Sequence, residues 1–357
     1  KSFDGAILCF FLLCAETAVL APAKRGILLE YVGPQKLSRW VGYMEMFNIT
    51  AILVGSFAGG AMFSHWLSTG GDPWQAAQNT AWVLTVLAVL AWAVFQVAEA
   101  TKAHSAEPFR WSLWVRHFTD VAEVWRTRPL WRATMGICFF YGVGGYATVL
   151  LQQVGYELTH GGPGAGLASS QLLLMVGVGT MVGNLLAGLL SRRGVELGLA
   201  PLGGAMLTIV LVALGFTAPG TTRFTVLLIA TGFSSGFFLV PLYAFIQEKA
   251  GDHRRGRILA GVSLLDSVAG MAAAGIYGLV ASDAALGWSV PTQFFLMAAV
   301  SLAMLVYALY HLPHQTTCTI MRLVGRIFYQ VKVLGRDGAI ASPAITVEAG
   351  SGHVHTP

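Results

Sequence analysis

Five side chains able to do chemistry interrupt long apolar runs: Glu16, Glu45, Asp266, Asn184 and Gln152. A carboxylate in such a run is costly unless water, a counter-charge or a proton accompanies it. Each is therefore a place to hold a headgroup or ion, to pair across helices, or to carry a proton. Glu16 is the sharpest case, set in Leu13-Cys14-Ala15-Glu16-Thr17-Ala18-Val19. Asp266 admits two readings: contact with a substrate, or a latch to Arg254, Arg255 or Arg257 nearby in sequence. Glu45 reads as a helix-to-helix partner of Lys24 or Arg25, while Gln152 and Gln153 close their run as amides. Nothing catalytic accompanies these groups. Cys9, Cys14, Cys138 and Cys318 lack metal-ligand spacing and read as small apolar residues. No Walker loop is present, so ATP is not used directly. A chain with no catalytic residue, metal or cofactor is expected: a non-enzyme.

The elements that must position these groups are legible in the composition. Of the 357 residues, 55% are hydrophobic and 11% charged, against roughly 25% charged in a soluble domain. Mean hydropathy is +0.65. The apolar residues fall into nine blocks, near 5–22, 41–66, 79–99, 131–152, 169–190, 201–218, 224–247, 258–280 and 291–311. A spanning helix needs about 20 such residues, so the fold class is all-α and polytopic, with the lipid bilayer as partner. No signal-peptide cleavage pattern is evident in the first block. Glycine pairs at helical spacing, Gly55 with Gly59 and Gly232 with Gly236, suit close helix crossings.

Orientation follows from the basic residues. All but Lys1 and Arg223 of the 22 lysines and arginines fall in alternate loops and the C-terminal tail. Basic loops stay cytoplasmic, which places the C-terminus inside and the first block entering from outside. The net charge of +5 is then membrane anchoring, and no nucleic-acid partner is expected.

Six blocks follow the long basic loop near 100–130 and three precede it. That loop, with Trp111, Trp114, Arg116 and Trp125, is expected to lie partly at the membrane interface. On a six-plus-six transporter template, residues 1–99 are the last three helices of the first half. The central loop is 100–130, the second half 131–311 and the cytoplasmic tail 312–357. Nine helices with an outside start fit such a fold lacking its first three helices.

Several stretches resemble one family. Ala21-Pro22-Ala23-Lys24-Arg25-Gly26-Ile27-Leu28, Leu37-Ser38-Arg39, Glu45-Met46 and Ala51-Ile52-Leu53-Val54-Gly55-Ser56 are similar to the fourth and fifth helices of major facilitator superfamily transporters of the lysophospholipid transporter type. Val240-Pro241-Leu242, Gln247 and Arg255-Gly256-Arg257-Ile258-Leu259-Ala260 resemble the tenth helix and the loop after it. Gly188-Leu189-Leu190-Ser191-Arg192-Arg193-Gly194 resembles the superfamily's signature loop, in which a carboxylate and arginines lock the two halves. Ser191 stands near the acid position, so a weaker lock is implied. Gly188, Arg192, Arg193, Arg255 and Arg257 are its gating candidates, and topology anchoring is the simpler reading of Arg192 and Arg193. Glu16 departs from the amide or small polar residue the resemblance implies there. From about 320, Arg322-Leu323-Val324 through Val331-Lys332-Val333-Leu334-Gly335 resembles the lead-in to an acyltransferase domain, with a disordered tail as the other reading. His353 matches the first member of that enzyme's His/Asp pair, and the Asp falls beyond Pro357.

The resemblance implies an inner-membrane secondary transporter working by alternating access on lysophospholipid or another small amphipathic molecule. Two alternatives stand beside it: the membrane part of a lysophospholipid-remodelling acyltransferase, and a proton-coupled drug or sugar exporter using Glu16 or Asp266.

Overall fold

The structure is a computed structural model that describes residues 3–69, 72–97, 113–161, 165–191, 195–251, 254–282 and 286–328. Every element among them is a helix: α1 Phe3–Val32, α2 Leu37–Ser68, α3 Pro73–Phe95, α4 Leu113–Arg126, α5 Arg128–Leu158, α6 Ala165–Leu190, α7 Leu199–Gly215, α8 Thr222–Lys249, α9 Arg255–Ala281, α10 Val290–His311 and α11 Pro313–Phe328. Eight of them are long and apolar enough to cross a membrane. The ninth apolar block is α7, at 17 residues, or about 26 Å at the usual helical rise. The remaining two, α4 and α11, are amphipathic additions. In α4, Asp120 and Val124 are buried while Phe118 and Trp125 are exposed.

Local chemistry sets several helix ends. Proline occupies the first turn of α3, α5 and α10, where its missing N–H costs nothing and its fixed φ suits a helix start. Thr221 caps α8, accepting a hydrogen bond from the Phe224 amide at 3.2 Å. Gly33 ends α1 with φ of 70° and donates to the Leu29 carbonyl at 2.9 Å. That left-handed turn is one glycine adopts freely.

The helices close into two apolar clusters. One lies toward the basic loops and draws on α2 and α4 to α9, through residues such as Leu37, Val41, Val124, Ile137, Ala187, Phe238, Tyr243 and Ile258. The other lies toward the opposite end, around Tyr146, Leu150, Leu211, Phe224 and Phe294, and holds no residue of α1, α2 or α3. The leading helices thus join the rest chiefly at the basic end, where α1 meets α9 and α2 meets α6. Among its described residues α3 buries only Ala76.

Glycine makes the tightest crossings. A Cβ on Gly232 or Gly236 of α8, or on Gly179 or Gly183 of α6, would fall within 3.0 Å of backbone on the other helix. Gly42 of α2 meets the Gly188 backbone of α6 in the same way. The pair Gly55 and Gly59 differs from expectation: nothing lies within 4 Å of a Cβ on either. These glycines sit on the part of α2 that the other described helices leave bare.

Candidate functional site

The polar centre of the molecule is built around Arg25. This residue lies two turns before the end of α1 and is only 8% exposed, so its charge must be met by protein groups. Glu45 of α2 meets it, with Nε to Oε1 at 3.3 Å. The choice between Lys24 and Arg25 is thereby made: Lys24 instead donates to Asn48 at 3.2 Å. A second guanidinium nitrogen donates to the Tyr141 hydroxyl of α5 at 3.3 Å. The guanidinium also stands over the Tyr243 ring of α8, 4.1 Å from its centroid, in cation–π geometry.

Tyr243 extends the network. Its hydroxyl donates to Asp266 Oδ2 of α9 at 3.1 Å and lies 3.2 Å from the Tyr141 hydroxyl. One phenol carries one hydrogen. With Tyr243 donating to the carboxylate, the hydrogen between the two phenols belongs to Tyr141. The order is then guanidinium to Tyr141, Tyr141 to Tyr243, Tyr243 to Asp266, each donor feeding the next. Ser267 Oγ lies 3.3 Å from the other carboxylate oxygen, but its one hydrogen goes to the Ser263 carbonyl at 2.8 Å. Five helices meet here, two from the leading group and three from the rest.

A second tier of charges lies nearer the basic loops. Arg255, 3% exposed, donates to the Gln247 carbonyl at 3.2 Å and stands 3.8 Å from Glu30 of α1. Arg257 pairs with Asp120 at 2.5 Å and Arg254 with Glu123 at 2.6 Å, tying α4 to the start of α9. The expected latch between Asp266 and these arginines does not form. Asp266 lies eleven residues beyond Arg255, about 16 Å along the axis, and Tyr243 reaches its carboxylate instead.

The other sequence candidates lie apart. Glu16 is exposed on α1, nine residues before Arg25 and so about 13 Å away along the helix. Asn184 is 1% exposed and has no hydrogen-bond partner for its amide. It is wedged where α2, α6 and α8 cross beside Gly42 and Gly236. Gly188 packs on the Arg39 and Gly42 backbone. The Gln152 side chain is exposed, whereas its neighbour Gln153 accepts a hydrogen bond from Tyr277 and donates to Glu157 at 2.7 Å. Arg192, Arg193 and the tail beyond 328, His353 included, lie outside the described residues. Among the described residues no group of three or more His, Cys, Asp or Glu is arranged to hold a metal.

Sequence reasoning missed Tyr141 and Tyr243. A tyrosine in an apolar run passes for an aromatic, and the signal was its position: Tyr243 sits deep in α8 and must find partners for a buried hydroxyl. Taken together, the site can hold two helix groups against each other through one cation, two carboxylates and two phenols.

Comparison with known proteins agrees with this architecture. The sequence model described as Major Facilitator Superfamily matches residues 2–274. The lysophospholipid transporter LplT of Serratia proteamaculans is 27% identical over 273 residues, covering 76% of this chain and 65% of that protein. LplT of Salmonella paratyphi B is 28% identical over 267 residues, covering 73% and 63%. The chain thus spans just under two thirds of the length of these relatives. In structure it resembles the proton:xylose symporter XylE bound to 6-bromo-6-deoxy-D-glucose. The TM-score is 0.53 at 15% identity, over 82% of this chain and 67% of that one.

Proposed function

The chain belongs to the Major Facilitator Superfamily, and from that premise we propose that it works as part of a secondary transporter moving lysophospholipid across the cytoplasmic membrane by alternating access. The observation that carries this reading is the network joining Arg25 and Glu45 to Tyr141, Tyr243 and Asp266. It bridges the two helix groups at one end, while the second apolar cluster excludes the leading helices. That is the arrangement of a gate shut on one side. The names of the relatives support lysophospholipid as the substrate, and the basic loops support a cytoplasmic position for the shut end.

Under this reading, Arg25 is the group for which an anionic headgroup competes. A phosphate that draws the guanidinium from Glu45 and Tyr141 weakens the bridge and lets the basic end part. A ligand can shift the two states only by such differential contacts. Proton coupling is favoured by one observation: Asp266 is a carboxylate only 5% exposed, reached by the Tyr243 phenol. Protonating it removes the charge that Tyr243 serves.

The test is flipping of fluorescent lysophospholipid in proteoliposomes holding the full-length gene product, with and without a proton gradient. Lysolipid movement that Arg25→Ala abolishes is the expected result. Movement of a sugar or drug but not of lysolipid overturns the substrate, and unchanged transport by Arg25→Ala overturns the gate.

A further inference from the structure

We propose that an apolar crevice enclosed by α5, α7, α8, α10 and the start of α11 binds an anionic phospholipid of the surrounding membrane, at a site separate from the Arg25 network. The cavity measures about 210 Å³. A dry cavity of about 150 Å³ suffices for benzene, so there is room for a length of acyl chain. Its inner wall is apolar and buried, with Gly136, Phe238, Leu242 and Ala308 among its members. Gly136 keeps the slot deep, since a Cβ there would come 2.7 Å from the Leu242 methyl and 3.5 Å from that of Met304. The slot also faces away from the gate. On α5, Gly136 and Tyr141 are five residues apart, about 140° around the helix axis.

The rim has the opposite character. The exposed residues Pro129, Arg132 and Gln315 mark the mouth. His311 stands with them, its ring edge-on to Tyr307 at 4.5 Å between centroids. No acidic side chain lines the cavity, and Arg132 has no carboxylate partner among the described residues. The first turns of α5 and α11 border the mouth through Pro129 and Gln315, and helix starts add partial positive charge. The mouth opens toward the basic loops, and basic pockets between helices on the cytoplasmic side suit anionic headgroups. An apolar slot beneath a cationic, hydrogen-bonding rim matches one acyl chain with a phosphate above it. A neutral hydrocarbon leaves Arg132 unmet, and inorganic phosphate leaves the slot empty.

The test uses the full chain in nanodiscs with phosphatidylglycerol carrying a diazirine near the end of one acyl chain. Adducts are mapped by mass spectrometry, and a phosphatidylcholine probe serves as the zwitterionic control. We expect phosphatidylglycerol adducts on the segments holding Phe245 and Met304, and weaker ones from phosphatidylcholine. Arg132→Gln should lower phosphatidylglycerol labelling about fivefold, the worth of one basic residue near an anionic surface. Ala308→Leu should abolish labelling by filling the slot. Ala133→Val is the milder filling variant, and gel filtration separates a filled slot from a misfolded protein. Equal labelling by the two probes, with no effect of Arg132→Gln, overturns the anionic headgroup. Adducts on the bare face of α3 but none in the slot overturn the site. Transport is not the readout, so either failure leaves the gate reading untouched.

Discussion

Arg25 illustrates how much hangs on one side chain. Its charge is buried, and the groups that meet it come from three other helices. Glu45→Gln leaves the guanidinium with the tyrosines alone, and removing one partner of a buried pair costs about 3 kcal/mol or more. A lower thermal midpoint in detergent, with the helical spectrum retained, is the expected result. Tyr243→Phe is subtler. The ring stays under the guanidinium while the bonds to Tyr141 and Asp266 go, a loss of about 2 kcal/mol, most of it from the bond to the carboxylate. That corresponds to a roughly thirtyfold shift between two states. Accessibility of a cysteine placed at Val32 should rise by that order, and an unchanged rate removes Tyr243 from the gate. The two carboxylates should part company. We expect Asp266→Asn to slow turnover with little change in substrate binding, because its partner is the Tyr243 phenol of the proposed gate. Glu16 is exposed on α1 and outside the network, so Glu16→Gln should leave expression and the Arg25 contacts intact; under the proton-coupled reading it should alter pH dependence or substrate choice. Wild-type transport by both variants would remove both carboxylates from the mechanism. That Glu45 meets Lys24 or Arg25 was legible from residue types, since a carboxylate in an apolar run needs a counter-charge, but the choice of Arg25 was not. The two phenols were not, because their role comes from where three helices place their rings.

Among the helices, identical spacing has had different outcomes. Gly232 and Gly236 of α8 interlock with Gly179 and Gly183 of α6, while Gly55 and Gly59 of α2 meet nothing described. A four-residue spacing tells only that a flat strip exists, and the partner decides its use. Gly232→Val therefore drives a side chain into the α6 backbone and should cost well over the 1–3 kcal/mol typical of overpacking, seen as loss of folded protein. Gly59→Val should be tolerated in this chain, and comparable yields of the two variants would show that the α6–α8 crossing is looser than described. The amphipathic α4 was foreseen only as a loop lying at the interface. Its role depends on Asp120 and Glu123 reaching the arginines that open α9, a pairing across more than a hundred residues that no local pattern reveals.

The whole molecule was the most legible level. Hydrocarbon-length apolar blocks and the one-sided basic loops are properties of composition, and the bilayer imposes them before any packing is chosen. The nine blocks correspond to nine apolar helices, with most ends moved by a few residues; the exception is α1, which runs on through Pro22 to Val32, ten residues past its block, and so carries Arg25 in a helix where a loop was expected. In intact cells, with the four native cysteines replaced, a cysteine at Ser289 should react with an impermeant maleimide and one at Lys36 should not; the reverse pattern inverts the topology. Packing chiefly at one end, with α1 and α2 tied into the first apolar cluster and no described residue of α1, α2 or α3 in the second, carries a mechanical meaning. A body hinged near one face of a bilayer sweeps little area in that leaflet and much more in the other. Its two states then differ in footprint on one side alone. The balance between them is set partly by the lateral pressure of that leaflet, and single-chain lipids are among the molecules that change it.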